Sequence, residues 1–146
     1  MNYYVSGLIG SFGASLFFAY LFHTPKRCVL SSSFIGMISY LVYMLVVDFV
    51  AGPVGGAFFA SLVIAILSEI AARIQHAPVS IFTSVAVIPL VPGGSLYQTM
   101  FYIVQNDYNQ AVSKGVETVL IAGCIALAIA LVTAFTKSAR QPRKSD

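Results

Sequence analysis

Pro89, Pro92, Gly93 and Gly94 interrupt an apolar stretch that reads Ile88-Pro89-Leu90-Val91-Pro92-Gly93-Gly94-Ser95-Leu96-Tyr97, with Gln98 and Thr99 following. The prolines remove backbone donors and the glycines favour an unwound or sharply turned chain. A helix that restarts after such a gap, here from about Ser95, begins with unpaired N–H groups. These carry about half a positive charge and hold anions. Ser95, Tyr97, Gln98 and Thr99 add hydroxyl and amide groups around the same turn. Discontinuous helices in transporters hold a substrate carboxylate in this way. The chemistry on offer is recognition of a carboxylate. The plainer alternative is a structural kink packed against its neighbours.

The other chemistry-bearing residues are few. Asp48, Glu69, Arg73 and Glu117 lie in or beside apolar segments, where ionisable groups are costly and mark pathways, gates or coupling sites. Glu69 precedes Arg73 by four residues, the spacing of a helical ion pair, and a structural pair at the membrane boundary is the alternative to gating. Asp48 and Glu117 have a similar alternative, residence at the headgroup boundary. His23 and His76 lack a carboxylate or cysteine cluster around them, and Cys28 and Cys124 have no metal-ligand spacing. The expectation is therefore no metal, no cofactor and, without a nucleophile–base constellation, no enzyme.

The elements that must position these groups are membrane helices. The chain of 146 residues is 58% hydrophobic and only 9% charged, too little charge to cover a soluble domain. Apolar segments run over about 3–22, 29–50, 54–73, 77–104 and 116–135. Each reaches the roughly 20 residues that a spanning helix needs, and the period-2 alternation of a membrane barrel is absent. Short connectors carry turn residues, as at His23-Thr24-Pro25, Gly52-Pro53 and Asn106-Asp107-Tyr108-Asn109. The expected fold is an all-α membrane protein of about five transmembrane helices, the fourth broken at the Pro-Gly-Gly turn. Residues 1–136 form one membrane domain and 137–146 a short basic tail.

With five crossings, Lys26, Arg27, Arg73, Lys137, Arg140, Arg143 and Lys144 fall on one side and only Lys114 on the other. The positive-inside rule then places the N-terminus outside and the basic tail in the cytoplasm. A re-entrant hairpin at the fourth segment would send the tail outside, so the charge parity favours a broken helix that crosses. The first segment lacks a basic lead and a small-residue cleavage site, and reads as a retained helix rather than a signal peptide. Small residues repeat at Ser6, Gly10 and Ala14, at Gly52, Gly56 and Ala60, and at Ala122, Ala126 and Ala130. Such faces pack helices within a chain or between chains.

The run Val87-Ile88-Pro89-Leu90-Val91-Pro92-Gly93-Gly94-Ser95-Leu96-Tyr97-Gln98-Thr99-Met100 resembles the signature of the threonine/serine exporter family. More closely, it resembles the short stand-alone subunit that corresponds to the carboxyl-terminal membrane half of full-length exporters. His23-Thr24-Pro25-Lys26-Arg27 is similar to the family's Asn-x-Pro-x-Arg turn, with His in place of Asn and a basic pair at its end. Some relatives carry an arginine in the second segment near the position of Tyr43. The resemblance spans nearly the whole chain. It implies export of threonine and serine, or of a succinate-like dicarboxylate in a two-subunit branch, together with a longer membrane subunit. It also implies the bacterial cytoplasmic membrane and marks Pro89, Pro92, Gly93, Gly94 and Tyr97 as motif positions. A homo-oligomer is a further expectation. The rival from another class is a membrane assembly or scaffold subunit that transports nothing.

Overall fold

A computed structural model describes residues 2–140, and among these residues every regular element is helical. In order, α1 is Asn2–Leu21, α2 is Lys26–Val46, α3 is Gly52–Gln75, α4 is Val79–Ala86, α5 is Gly93–Val104 and α6 is Tyr108–Arg140. A π-helical turn, Val47–Ala51, extends α2 to Gly52, and a 3-10 turn, Ile88–Leu90, follows α4. Gly52 has φ 59° and ψ −175°, a conformation open essentially only to glycine, and Pro53 then starts the next helix.

Tyr3–Leu21, Lys26–Phe49, Gly52–Gln75 and Tyr108–Ser138 are each long and apolar enough to cross a membrane. The pair Val79–Leu90 and Gly93–Val104 makes a fifth span if its two halves, bent by 47°, are taken together. The helix breaks anticipated at Pro25, Gly52-Pro53 and the Pro-Gly-Gly turn thus all occur. Of the basic tail, Lys137 and Arg140 belong to α6, which continues through residue 140. Arg143 and Lys144 lie outside the described residues.

Three helices end in the same way. His23, His76 and Asn106 have φ of 53°, 48° and 60°. The next N–H reaches back five residues, from Thr24 to Ala19, Ala77 to Ala72 and Asp107 to Tyr102, at 3.0, 3.1 and 3.0 Å. This is the Schellman closure, with a left-handed residue just past the helix. Pro25 and Pro78 follow the two histidines and prevent the helix from continuing. His23 and His76 are thereby assigned backbone roles, and no group of three metal-ligating side chains exists among the described residues.

The core gathers on α3. Ala57, Ala60, Ile64 and Ala72 pack with Cys28 and Ile35 of α2, Phe82 and Ala86 of α4, and Ile121 and Ile125 of α6. Small residues let these backbones approach closely. Buried serines on α2 return their hydroxyls to their own helix: Ser32 to Cys28 O, Ser33 to Val29 O and Ser39 to Ile35 O. Such serines occupy little volume and leave no free donor at the contact. Gly36 marks the tightest junction. A Cβ there would overlap Ser15 Oγ of α1 and come within 3.5 Å of the Ala86 Cα.

The small-residue faces divide unequally. Gly56 and Ala60 are buried in the chain's own core, whereas Ser6 and Gly10 on α1 and Ala122, Ala126 and Ala130 on α6 are exposed or only partly covered. On α1 the packing face is instead Ser11, Ser15 and Ala19, three positions of low exposure at four-residue spacing.

Candidate functional site

The break in the fourth segment is built by its prolines. Pro89 sits in the first turn of the 3-10 helix and Pro92 stands at the N-cap of α5, so neither contributes an N–H. Val91 is extended at φ −57° and ψ 127°, which separates the two helical halves. Helix α5 starts at Gly93, two residues earlier than the Ser95 start expected from sequence. Gly93 N–H donates to Val91 O at 2.7 Å and Leu96 N–H to Pro92 O at 3.0 Å. Between them, the amides of Gly94 and Ser95 have no backbone or side-chain acceptor among the described residues. These two donors, at the positive end of a helix dipole, are what an anion would meet.

The gap lies at mid-height in the bundle. Ala86, the last residue of α4, meets Gly36, midway along α2. Pro89 lines a cavity of about 250 Å³ with Gly7, Gly10, Ser11 and Ala14 of α1 and Tyr40 of α2. Gly10 and Ser11 are central in the α1 span. Backbone unpaired at this depth requires protein or a polar cavity around it, since hydrocarbon cannot satisfy it.

Among the described residues, helix α5 packs on α6 and on no other helix, and none of its residues is buried. Outside the chain neighbours and the helix's own backbone, nothing among the described residues lies within 4 Å of where a Cβ would stand on Gly93 or Gly94. Tyr97 is 69% exposed and stacks on Phe101, and Gln98 is exposed. Thr99 is committed elsewhere, since its hydroxyl donates to Ser95 O at 2.8 Å and its methyl faces Gly115 of α6. The structure therefore brings Pro89, Pro92, Gly93, Gly94 and Ser95 together at the gap. It places Tyr97 and Gln98 on open surface just beyond and turns Thr99 into the α5–α6 contact. The gap is walled on the α1–α4 side and open on the other.

The ionisable residues sit elsewhere. Asp48, in the π-helical turn, accepts a short hydrogen bond from Tyr4 Oη, tying the start of α1 to the end of α2. Glu69 is 8% exposed and lies 3.9 Å from Arg73 Nη2, so the expected i,i+4 pair forms, loosely. Its Oε2 has no hydrogen-bond partner among the described residues, and neither do the buried hydroxyls of Ser61 and Ser68 on the same helix. Glu117 accepts from Lys114 Nζ at 2.8 Å. The sequence reading does not pair these two, although their i,i+3 spacing is legible there. A second cavity, of about 350 Å³, is lined by Phe22, His23, Thr24 and Pro25 with Ser80, Ile81, Ser84 and Val85, so the His-Thr-Pro turn packs against the start of α4. The Gln75–Ser31 side-chain hydrogen bond places the end of α3 beside the start of α2 at that same end.

The family described as Threonine/Serine exporter, ThrE, matches residues 7–135. No match is found among curated proteins or among solved structures.

Proposed function

The chain belongs to the threonine/serine exporter family, and from that premise we propose that it forms part of an export path for small carboxylate-bearing metabolites, working with a longer membrane subunit of the same family. The observation that carries this reading is the start of α5: free amides at Gly94 and Ser95, at mid-height, on the open side of a half-walled gap. A substrate carboxylate accepts from these amides, with Ser95, Tyr97 and Gln98 grading the polarity around it. The missing wall is supplied by the longer subunit. The exposed small-residue faces of α1 and α6 are suited to close helix approach.

In this reading the protein is multi-pass in the bacterial cytoplasmic membrane, with its N-terminus outside and its basic ends in the cytoplasm. Threonine and serine are the family's substrates, and a succinate-like dicarboxylate is the other class that the gap accommodates. The two classes differ in driving force. An inside-negative potential favours anion exit by about 2.3 kcal/mol per charge per 100 mV. A dicarboxylate thus leaves by uniport, whereas a zwitterion needs its own gradient or proton exchange. Asp48, Glu69 with Arg73, and Glu117 are this chain's candidates for gating or coupling.

The test is efflux of preloaded threonine, serine and succinate from proteoliposomes holding the chain with and without the longer subunit, at set potential and pH gradients. Efflux that requires both chains supports the proposal. Full activity of this chain alone removes the partner from it. No efflux from the complex leaves the scaffold role as the better account.

A further inference from the structure

Lys114 and Glu117 belong to the inward face of α6. The buried residues of that helix are Ala111, Ile121, Ile125 and Ala128. Lys114 and Glu117 continue the same stripe, since 111, 114, 117, 121, 125 and 128 step by three or four residues, one helix face. Ile121 and Ile125 pack in the core with Ala57, Ala60 and Ile64 of α3, so the ion pair extends the core-facing stripe of α6. Thr99 faces Gly115 across the antiparallel α5–α6 hairpin, where a Cβ on Gly115 would come within 3.5 Å of the Thr99 methyl, which sets Glu117 level with Tyr97. At 1.5 Å per residue, that is only about 6 Å along the axis from the start of α5. The pair therefore lies within the outer half of the bundle, nearer the gap than its place in the sequence implies.

Tyr43 of α2 packs on the same core cluster as Ile121 and Ile125 of α6, and Tyr102 lies on α5, which packs on α6. Tyr43 stacks on Tyr40, which lines the cavity against Pro89. The pair's side chains keep 33% and 25% of their surface accessible, so a solute can reach both. Charges that face the interior of a membrane bundle mark substrate paths.

We propose that Lys114 and Glu117 form a second binding position, on the outward side of the gap, for the two charges of an α-amino acid zwitterion. The inference rests on the export reading and adds a second contact position to its path. The substrate ammonium donates to Glu117, its carboxylate accepts from Lys114, and the existing bond between the two side chains opens to admit them. Tyr43 and Tyr102 offer phenols to the substrate's hydroxyl. A dicarboxylate would bring its second charge against Glu117, and an amine without a carboxylate would meet Lys114. The site thus selects threonine and serine over succinate.

The experiment measures threonine efflux from membrane vesicles holding the intact exporter, for wild type, Glu117→Gln, Glu117→Asp and Lys114→Met, with chain abundance in the membrane quantified. 3-Hydroxybutyrate, which is threonine without its ammonium, serves as competitor. Expected for Glu117→Gln is a rise of tenfold or more in KM for threonine, with inhibition by 3-hydroxybutyrate kept or strengthened and Glu117→Asp partly restoring KM. Lys114→Met weakens both ligands. A KM within twofold of wild type in both neutralised variants overturns the site, as does equal loss of both ligands in Glu117→Gln, which marks a structural salt bridge. Wild-type efflux of succinate without threonine overturns the zwitterion site and leaves export standing. Wild-type efflux of neither threonine, serine nor succinate refutes the export reading itself, and the site with it.

Discussion

Gly94→Ala separates what this chain needs at the gap from what its occupant needs. Outside its chain neighbours and its own helix backbone, no atom among the described residues lies within 4 Å of the added Cβ, and Gly94 has no positive φ that would strain an alanine. Alanine is favoured over glycine inside a helix by about 0.5–1 kcal/mol. At the second position of α5 the gain is at the low end of that range. Membrane insertion and thermal stability of the chain should therefore be unchanged or slightly improved. In this account, however, the substrate carboxylate reaches the free amide through the space that the methyl would fill. Losing one hydrogen bond to a charged group costs about 1.5–3 kcal/mol. Each 1.4 kcal/mol is about a factor of ten in affinity, so export should fall by tenfold or more. The assay pairs initial efflux rate with abundance and melting temperature of the same preparation. Unchanged export refutes approach at Gly94. A drop in stability that matches the loss of export refutes the open gap and supports the packed kink.

Further outcomes follow from the same geometry. Gly36→Ala drives a methyl into Ser15 and towards the Ala86 backbone, so it should destabilise the bundle by about 1–3 kcal/mol, read as a lower melting temperature or reduced insertion. His23→Gly and His76→Gly should hold or raise stability, because a left-handed non-glycine residue costs on the order of 1–2 kcal/mol, and export should persist. Loss of export in either variant with stability intact would restore a chemical role to that histidine. Tyr4→Phe removes the one side-chain donor that holds Asp48 among the described residues, and it should cost no more than about 1 kcal/mol in melting experiments, as expected for an exposed contact.

Much of this architecture is legible in the sequence because membrane helices announce themselves by length and apolarity, and prolines by position. The fourth segment shows both how far such reading goes and where it stops. Pro89, Pro92, Gly93 and Gly94 mark the break to within two residues, since they act locally through φ and missing donors. That α5 then leans on α6 alone depends on tertiary packing that hydropathy does not encode. Small-residue repeats are equally ambiguous: Gly56 and Ala60 pack within the chain, while Gly10 and Ala126 have the same spacing and lie outside the core. The histidines carry a local signal of another kind. His23-Thr24-Pro25 and His76-Ala77-Pro78 are the same helix stop written twice. Lys114 and Glu117 are legible as an i,i+3 pair, but only the α5–α6 register and the buried stripe at Ile121 and Ile125 show that they face inward.

The central claim is that the break at Pro92-Gly93-Gly94 opens to a water-filled path and holds a substrate carboxylate. Its most direct test is Ser95→Cys in the intact exporter, a near-isosteric change that leaves Gly94 free, with Cys28 and Cys124 replaced by alanine, probed by a membrane-impermeant thiol reagent with and without saturating threonine, serine or succinate. The account predicts that the introduced thiol is labelled and that at least one of these carboxylates protects it. A thiol that stays unlabelled from both sides, or labelling that no carboxylate slows, would contradict it.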